Sequence, residues 1–184
     1  MVARLNTFGR AMLLFLTFTT ASAVFAQEPK ARQWSRAELI AAAREVITTA
    51  RYCALITTGA DGRAQARTMD PFAPAGDMTV WFGTNPRSRK VAEIRRRPRV
   101  TIYYFDRDSQ SYVTIHGVGR LVNNDDEKAK HWKSEWSGFY PSRERDYMLI
   151  EVKPERLEIV SVQKGIVGDT VRWDPPAVKF SRRK

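Results

Sequence analysis

Cysteine is nearly absent from this 184-residue sequence, where Cys53 stands alone. One thiol closes no internal disulfide, so the fold must rest on its core. Cys53 lies in an apolar run and reads as a small buried hydrophobe. Histidine is almost as scarce, with only His116 and His131. Two histidines and a thiol distant in sequence are a poor ligand set, so no metal site is expected. No Gly-x-Ser-x-Gly elbow and no phosphate-loop signature occurs, which gives no support to elbow-type hydrolases or P-loop nucleotidases. Repeats and low-complexity stretches are absent as well. Acid is short relative to base: 20 Asp and Glu against 31 Lys and Arg, a formal net charge of +11. That balance suits phosphates, nucleic acid or an acidic surface, without choosing among them.

The amino-terminal stretch reads as a targeting signal. Met1 to Arg10 carries Arg4 and Arg10 and no acid, Ala11 to Ala26 is apolar or small apart from hydroxyls, and Val24-Phe25-Ala26 precedes Gln27-Glu28-Pro29. This is the order of a secretory signal peptide over 1–26, cleaved after Ala26. The competing reading, an uncleaved anchor, wants about 20 apolar residues. The run here is shorter and is broken by Thr17, Thr19, Thr20 and Ser22. Arg4 and Arg10 stand apart, against a twin-arginine route, and no cysteine marks a lipoprotein. The expectation is an exported chain, periplasmic or secreted, with no stable membrane insertion after cleavage. A leader over 27–35, one domain over 36–165 and a polar, basic tail over 166–184 follow.

Within the domain, Ser35-Arg36-Ala37-Glu38 has the spacing of a capping box. Leu39, Ile40, Ala43, Val46 and Ile47 continue at helical spacing, predicting a helix over 36–49. Strands are predicted over 52–58 and 64–70 about the turn Gly59-Ala60-Asp61-Gly62, and over 78–83. Asn85-Pro86 opens a short helix through Arg97, stopped by Pro98. A strand over 99–106 has apolar or aromatic residues on both faces and is expected to be buried on both. A long strand over 111–122 contains Gly117 and Gly119, suited to a bend or bulge. A helix over 125–136 begins with Asp125-Asp126-Glu127, an acid cluster that complements the helix dipole and is not read as a catalytic pair. Strands over 147–152 and 157–162 complete the set. The fold class is mainly β (α+β): about six strands in an antiparallel barrel with flanking helices. The segment 78–106 also fits a parallel strand–helix–strand crossover.

The most informative segment is Trp81-Phe82-Gly83-Thr84-Asn85-Pro86-Arg87-Ser88-Arg89-Lys90, running from a strand into a helix start. Free backbone donors at such a start favour an anion. Thr84 and Ser88 add hydroxyls, and Arg87, Arg89 and Lys90 add cations where the helix dipole disfavours them unless an anion is bound. The competing reading is a solvated basic face, since Arg95, Arg96, Arg97 and Arg99 continue the run. Arg67-Thr68-Met69 ends an earlier strand, where an arginine can reach a phosphate or a polarised ring oxygen.

Arg67-Thr68-Met69, Trp81-Phe82-Gly83-Thr84-Asn85 with Ser88-Arg89-Lys90, Arg97-Pro98-Arg99-Val100 and Tyr112-Val113-Thr114-Ile115-His116-Gly117 together resemble the pyridoxamine 5'-phosphate oxidase-like superfamily, in particular its general stress protein 26-like group. The likeness runs from about Leu39 to Ile159. It implies a six-stranded split β-barrel, homodimeric, with FMN between subunits. By position, Arg67, Thr68 and Met69 would flank the flavin ring and ribityl chain, Phe82, Gly83 and Thr84 would continue that wall, and Ser88, Arg89 and Lys90 would grip the phosphate. Trp136, Tyr140 and Trp173 of the partner chain would cover the ring, although Trp132, Trp136, Phe139 and Tyr140 also suit a packing role. Three departures argue against vitamin B6 oxidation: Phe72 stands where a lysine belongs, Tyr112 where a glutamine belongs, and Val178-Lys179-Phe180-Ser181-Arg182 where an arginine–histidine motif belongs.

The resemblance implies an FMN-dependent oxidoreductase with the cofactor carrying electrons and an unknown small-molecule substrate; no catalytic residue is assigned. A non-catalytic flavin-binding or stress protein is the alternative, with deazaflavin or haem as related ligands. A basic binder of anionic surfaces, resting on Arg95 to Arg99 with Tyr103 and Tyr104, is a third reading. Export makes nucleic acid an unexpected target.

Overall fold

The computed structural model describes residues 32–181. The signal peptide, the cleavage point after Ala26, the first part of the leader and the last three residues lie outside the described residues.

Helix α1 spans Arg36–Ala50, and its capping box is formed: Glu38 N–H donates to Ser35 Oγ (3.2 Å) and Ser35 N–H to Glu38 Oε2 (2.8 Å). Loss of such a cap costs about 1 kcal/mol. Its apolar stripe, Leu39, Ala42, Ala43, Val46 and Ile47, is buried in the main core. Strands β1 (Cys53–Thr58) and β2 (Ala64–Met69) form the hairpin expected about Gly59–Gly62, where Gly62 has φ +84°. Strand β3 (Val80–Thr84), helix α2 (Arg89–Arg96), strand β4 (Arg99–Asp106) and strand β5 (Ser111–Val122) follow. After helices α3 (Asp125–Lys130) and α4 (Arg143–Asp146) come strands β6 (Met148–Val160) and β7 (Ala177–Lys179).

The sheet order is β2-β1-β4-β5-β6-β3, with β7 added on β6, and every pairing is antiparallel. The two ends meet at one bridge, Pro71 to Phe82, reinforced by Phe72 N–H donating to the Trp81 carbonyl (2.9 Å). A sheet whose edges touch at a single bridge beyond β2 is a split β-barrel with flanking helices, as expected. The parallel crossover over 78–106 is excluded, because β3 pairs with β6 while β4 lies between β1 and β5. Inward residues of β1, β3, β4, β5 and β6, among them Leu55, Phe82, Ile102, Tyr104, Ile115, Ile150 and Leu157, form the core, with Met69 of β2 packed partly buried against it.

Several expectations need correction. Strand β4 is buried on one face only: Tyr103 and Phe105 are 36% and 45% exposed on the other, where no described element of the chain covers them. The helix expected over 125–136 ends at Lys130, and a separate turn of 3₁₀ helix occupies Ser134–Trp136. There Tyr147 Oη donates to the His131 carbonyl, and Lys133 turns back to pair with Asp70 (2.7 Å); these tertiary contacts displace the next helical turn. The helix expected from Asn85 starts at Arg89. Asn85 Oδ1 accepts from Arg87 N–H (2.8 Å), which builds a turn first.

The two strands expected over 147–152 and 157–162 are one strand, β6. Gly117 faces Pro154 and His116 faces Arg156, so Glu155 is the extra residue of a bulge that absorbs the proline. Finally, the chain after Gly165 is more than a polar tail, since Ile166 and Val178 are buried in the core.

Candidate functional site

The basic turn and the β2 arginine meet. Leu55 faces Arg67 in the β1–β2 register, so Arg67 stands on the inner face with Leu55 and Thr57. Arg67 Nη1 donates to Thr57 Oγ1 (2.6 Å) and to the Leu55 carbonyl (3.3 Å), and Nη2 to Glu93 Oε2 (2.9 Å). The Thr57 hydroxyl donates to the same carboxylate oxygen (2.5 Å). Arg89 Nε lies 3.1 Å from Glu93 Oε1, one helical turn away. Lys90 Nζ donates to Thr84 Oγ1 (3.1 Å), which lies 3.1 Å from Ser88 Oγ.

One cluster therefore holds Thr57, Arg67, Thr84, Ser88, Arg89, Lys90 and Glu93. Its three cations and one carboxylate leave a formal excess of two positive charges. Burial pushes the Glu93 carboxyl up, and the Thr57 hydroxyl with the Arg67 and Arg89 guanidiniums more than cancels that, so it titrates below the ordinary carboxylate range. Burial, and then the charge of Arg67, hold Lys90 below the usual lysine value despite Glu93. The ammonium of Lys90 is thus short of negative charge. Ser88 is the N-cap of α2 but its side chain caps nothing, and no acid occupies the first turn. The first N–H groups of a helix have no intrahelical acceptor, so backbone donors, two hydroxyls and the excess charge stand together. The sequence reading missed Glu93 and Thr57. Glu93 is the only acid between Arg87 and Arg99 and lies four residues after Arg89, the one available signal.

The remaining candidates are placed elsewhere. The Phe82 side chain is in the barrel core, so only its backbone can face a ligand. Met69 packs partly buried against the same core, and Thr68 is exposed on the outer face beside Ala54. Gly83 touches Trp136 and Tyr147: a Cβ there would come within 2.6 Å of Tyr147 Cε2 and closer to Trp136. Trp136 is only 8% exposed and shares a second core with Val122, Tyr147 and Leu149, against which Phe72, Trp81, Trp132 and Tyr140 pack. Its role within this chain is packing. Trp173 is 81% exposed, with φ +62°. Phe72, at the departure from a lysine, meets Trp136 edge-on, and the Lys133 ammonium lies 5.1 Å from its ring centroid. Tyr112 is half-buried on the outer face with Tyr103, ring centroids 5.7 Å apart. Cys53 is buried, and burial pushes its thiol up to about 12, which makes it an inert core residue.

A family profile described as pyridoxamine 5'-phosphate oxidase like matches residues 38–168. No curated protein matches the sequence. Among solved structures, a Clostridium acetobutylicum protein related to general stress protein 26 superposes with a TM-score of 0.64 at 15% identity, over 77% of this chain and 94% of that one. A pyridoxamine 5'-phosphate oxidase-related, FMN-binding protein of Nostoc punctiforme gives 0.56 at 15% identity, over 79% and 96%. A haem-binding protein of Mycobacterium smegmatis gives 0.55 at 15%, over 74% and 56%. At these identities the structural likeness speaks for the fold.

Proposed function

The chain belongs to the pyridoxamine 5'-phosphate oxidase-like family, and on that footing we propose that it is an FMN-binding flavoprotein whose Thr84–Lys90 turn holds the nucleotide phosphate. The observation that carries this reading is the cluster's charge. Arg67, Arg89 and Lys90 against Glu93 leave an excess of two, which matches a phosphate monoester carrying about −1.5 to −2 at neutral pH. Ser88 and Thr84 supply hydroxyl donors and the α2 start supplies backbone donors. Glu93 fixes the largely buried Arg67 in place before any ligand arrives, which lowers the ordering cost of binding.

The second half of the site comes from a second copy. Strand β4 has the composition of a strand covered on both faces, yet Tyr103 and Phe105 are exposed in the single chain, with Tyr112 and Ala54 beside them. This outer face adjoins Thr68, so a homodimer packed on it would bring a partner surface to the Arg67–Met69 edge. Bound flavin supplies two-electron redox chemistry. Arg67, Arg89, Lys90, Thr84 and Ser88 would hold its phosphate, and a partner packed on the aromatic face would keep water from the adjoining Arg67–Met69 edge. Reduction of the bound flavin by a small-molecule donor would make the chain an oxidoreductase; a bound flavin that no donor reduces would make it a flavin store. Phe72 and Tyr112, at positions expected to hold a lysine and a glutamine, speak against pyridoxamine-phosphate oxidation.

The test is a visible spectrum of the purified chain with FMN added, and sedimentation of the complex. One FMN per chain, a dimer and bleaching by a reduced nicotinamide support the proposal. A colourless protein after incubation with FMN refutes it, and a Soret band after incubation with haem transfers the site to haem.

A further inference from the structure

A second concentration of positive charge lies at the other end of α2. The first residues of this helix belong to the Thr84–Lys90 turn, and its last, Arg96, opens onto a cavity of about 1110 Å³. Five basic and two acidic side chains line it. Two of the basic residues are engaged by the fold. Arg36 Nη1 donates to the Lys179 carbonyl (2.6 Å) with its guanidinium 4.7 Å from the Phe180 ring centroid, and Arg97 donates to the Gly59 carbonyl. The side chains of the other three, Arg96, Arg99 and Lys153, have no hydrogen bond or ion pair among the described residues. Both acids, Asp77 and Glu155, already have partners.

These three cations come from α2, β4 and β6, and a backbone device helps to gather them. The β6 bulge at Glu155 lies opposite Gly117, where a Cβ would come within 3.0 Å of Val152 Cγ1 and closer to the Lys153 carbonyl. Only glycine permits the approach that sets Lys153 and Pro154 on the cavity rim. Ile40, Val118 and Phe180 supply an apolar floor. A solvated basic face needs neither concavity nor floor. Like charges gathered without a counter-ion repel, and an anion relieves them.

We propose that this cavity binds a small amphiphilic anion, its phosphate or carboxylate head held by Arg96, Arg99 and Lys153 and its apolar body laid on Ile40, Val118 and Phe180. At about 1110 Å³ the cavity is just above the usual span of about 300–1,000 Å³ for ligand cavities, so it has room for a small amphiphile. The site is separate from the proposed phosphate clasp and does not depend on it.

The test is calorimetric titration of the purified chain with octyl phosphate below its micelle concentration, with inorganic phosphate and with octyl glucoside, each with and without saturating FMN. Octyl phosphate is expected to bind once per chain, at least about tenfold more tightly than either control, with or without FMN. The R99A/K153A variant should lose about tenfold per cation removed, the scale of a charged hydrogen bond. Its melting temperature should hold, because both side chains are exposed. Equal binding by the variant, equal affinity for octyl glucoside or inorganic phosphate, or displacement by FMN each overturns the proposal. Attachment to anionic vesicles without a complex with octyl phosphate also overturns it, in favour of a membrane-surface patch.

Discussion

Glu93→Gln tests whether one carboxylate organises the cationic cluster. The Glu93 side chain is 5% exposed and Arg67 18%, so their 2.9 Å pair is largely screened from water. The Arg89 partner is 72% exposed and contributes little. Removing one member of a buried pair costs about 3–5 kcal/mol. Glutamine keeps the shape and one acceptor oxygen for Thr57 and Arg67, which places the cost near the lower bound, about 3 kcal/mol. A domain of this size loses about 2–4 °C per kcal/mol, so the midpoint at neutral pH should fall by about 6–12 °C. The sign with pH follows from the lowered carboxyl. Its contribution is complete above its ordinary value of 4.5 and is lost as pH falls through the lower folded value. The gap between the two proteins should therefore close in acid. Phosphate should raise the midpoint of the variant more than that of the wild type, since three cations then lack an acid. Thermal melts followed by circular dichroism at neutral and acid pH read all three effects. A neutral-pH midpoint within about 2 °C of wild type, or a gap undiminished in acid, would refute the reasoning.

Other outcomes follow from the same geometry. Gly83→Ala overpacks the Trp136–Tyr147 contact, which costs about 1–3 kcal/mol; a lowered melting point with shifted tryptophan emission is expected, and an unchanged melt contradicts it. FMN affinity should fall with rising pH before the ordinary lysine value of 10.5, because burial and Arg67 make Lys90 lose its proton early, while riboflavin affinity stays flat. A parallel pH response of both ligands would remove Lys90 from the site. If the proposed dimer packs on the β4 face, Phe105→Glu should yield a monomer in sedimentation where the wild type is a dimer, and should weaken FMN; a dimer that survives the change moves the interface elsewhere.

Much of this architecture was readable because alternation is strong in particular segments. Strand β5 begins and ends where the pattern put it, and every second residue from Ser111 to Gly119 is buried; β4 keeps its expected bounds too, although its two faces are alike in composition and gave no alternation to read. The capping box at Ser35 was likewise legible. What failed depended on contacts distant in sequence. The two strands expected over 147–152 and 157–162 join because Gly117, on the neighbouring strand, makes room for the bulge at Pro154 and Glu155. The helix after Asn124 looked longer because the partners that stop it, Tyr147 and Asp70, lie far along the chain. Strand β7 is three residues long and gains its order from β6, not from its own pattern. At the site, cations and hydroxyls were visible as a run, whereas Glu93 was hidden in that run by its sign. Phe82 illustrates the converse: adjacency in sequence to Gly83 and Thr84 said nothing of the face it takes, and β3 turns it into the core.

The phosphate is the group on which binding at this turn depends. The most direct measurement is the affinity of wild type and Lys90→Ala for FMN and for riboflavin, which differ only in that group. A charged hydrogen bond is worth about 1.5–3 kcal/mol, so the substitution should weaken FMN by about tenfold or more and leave riboflavin within about twofold. Equal weakening of both, or of neither, would contradict the claim that this turn holds a nucleotide by its phosphate.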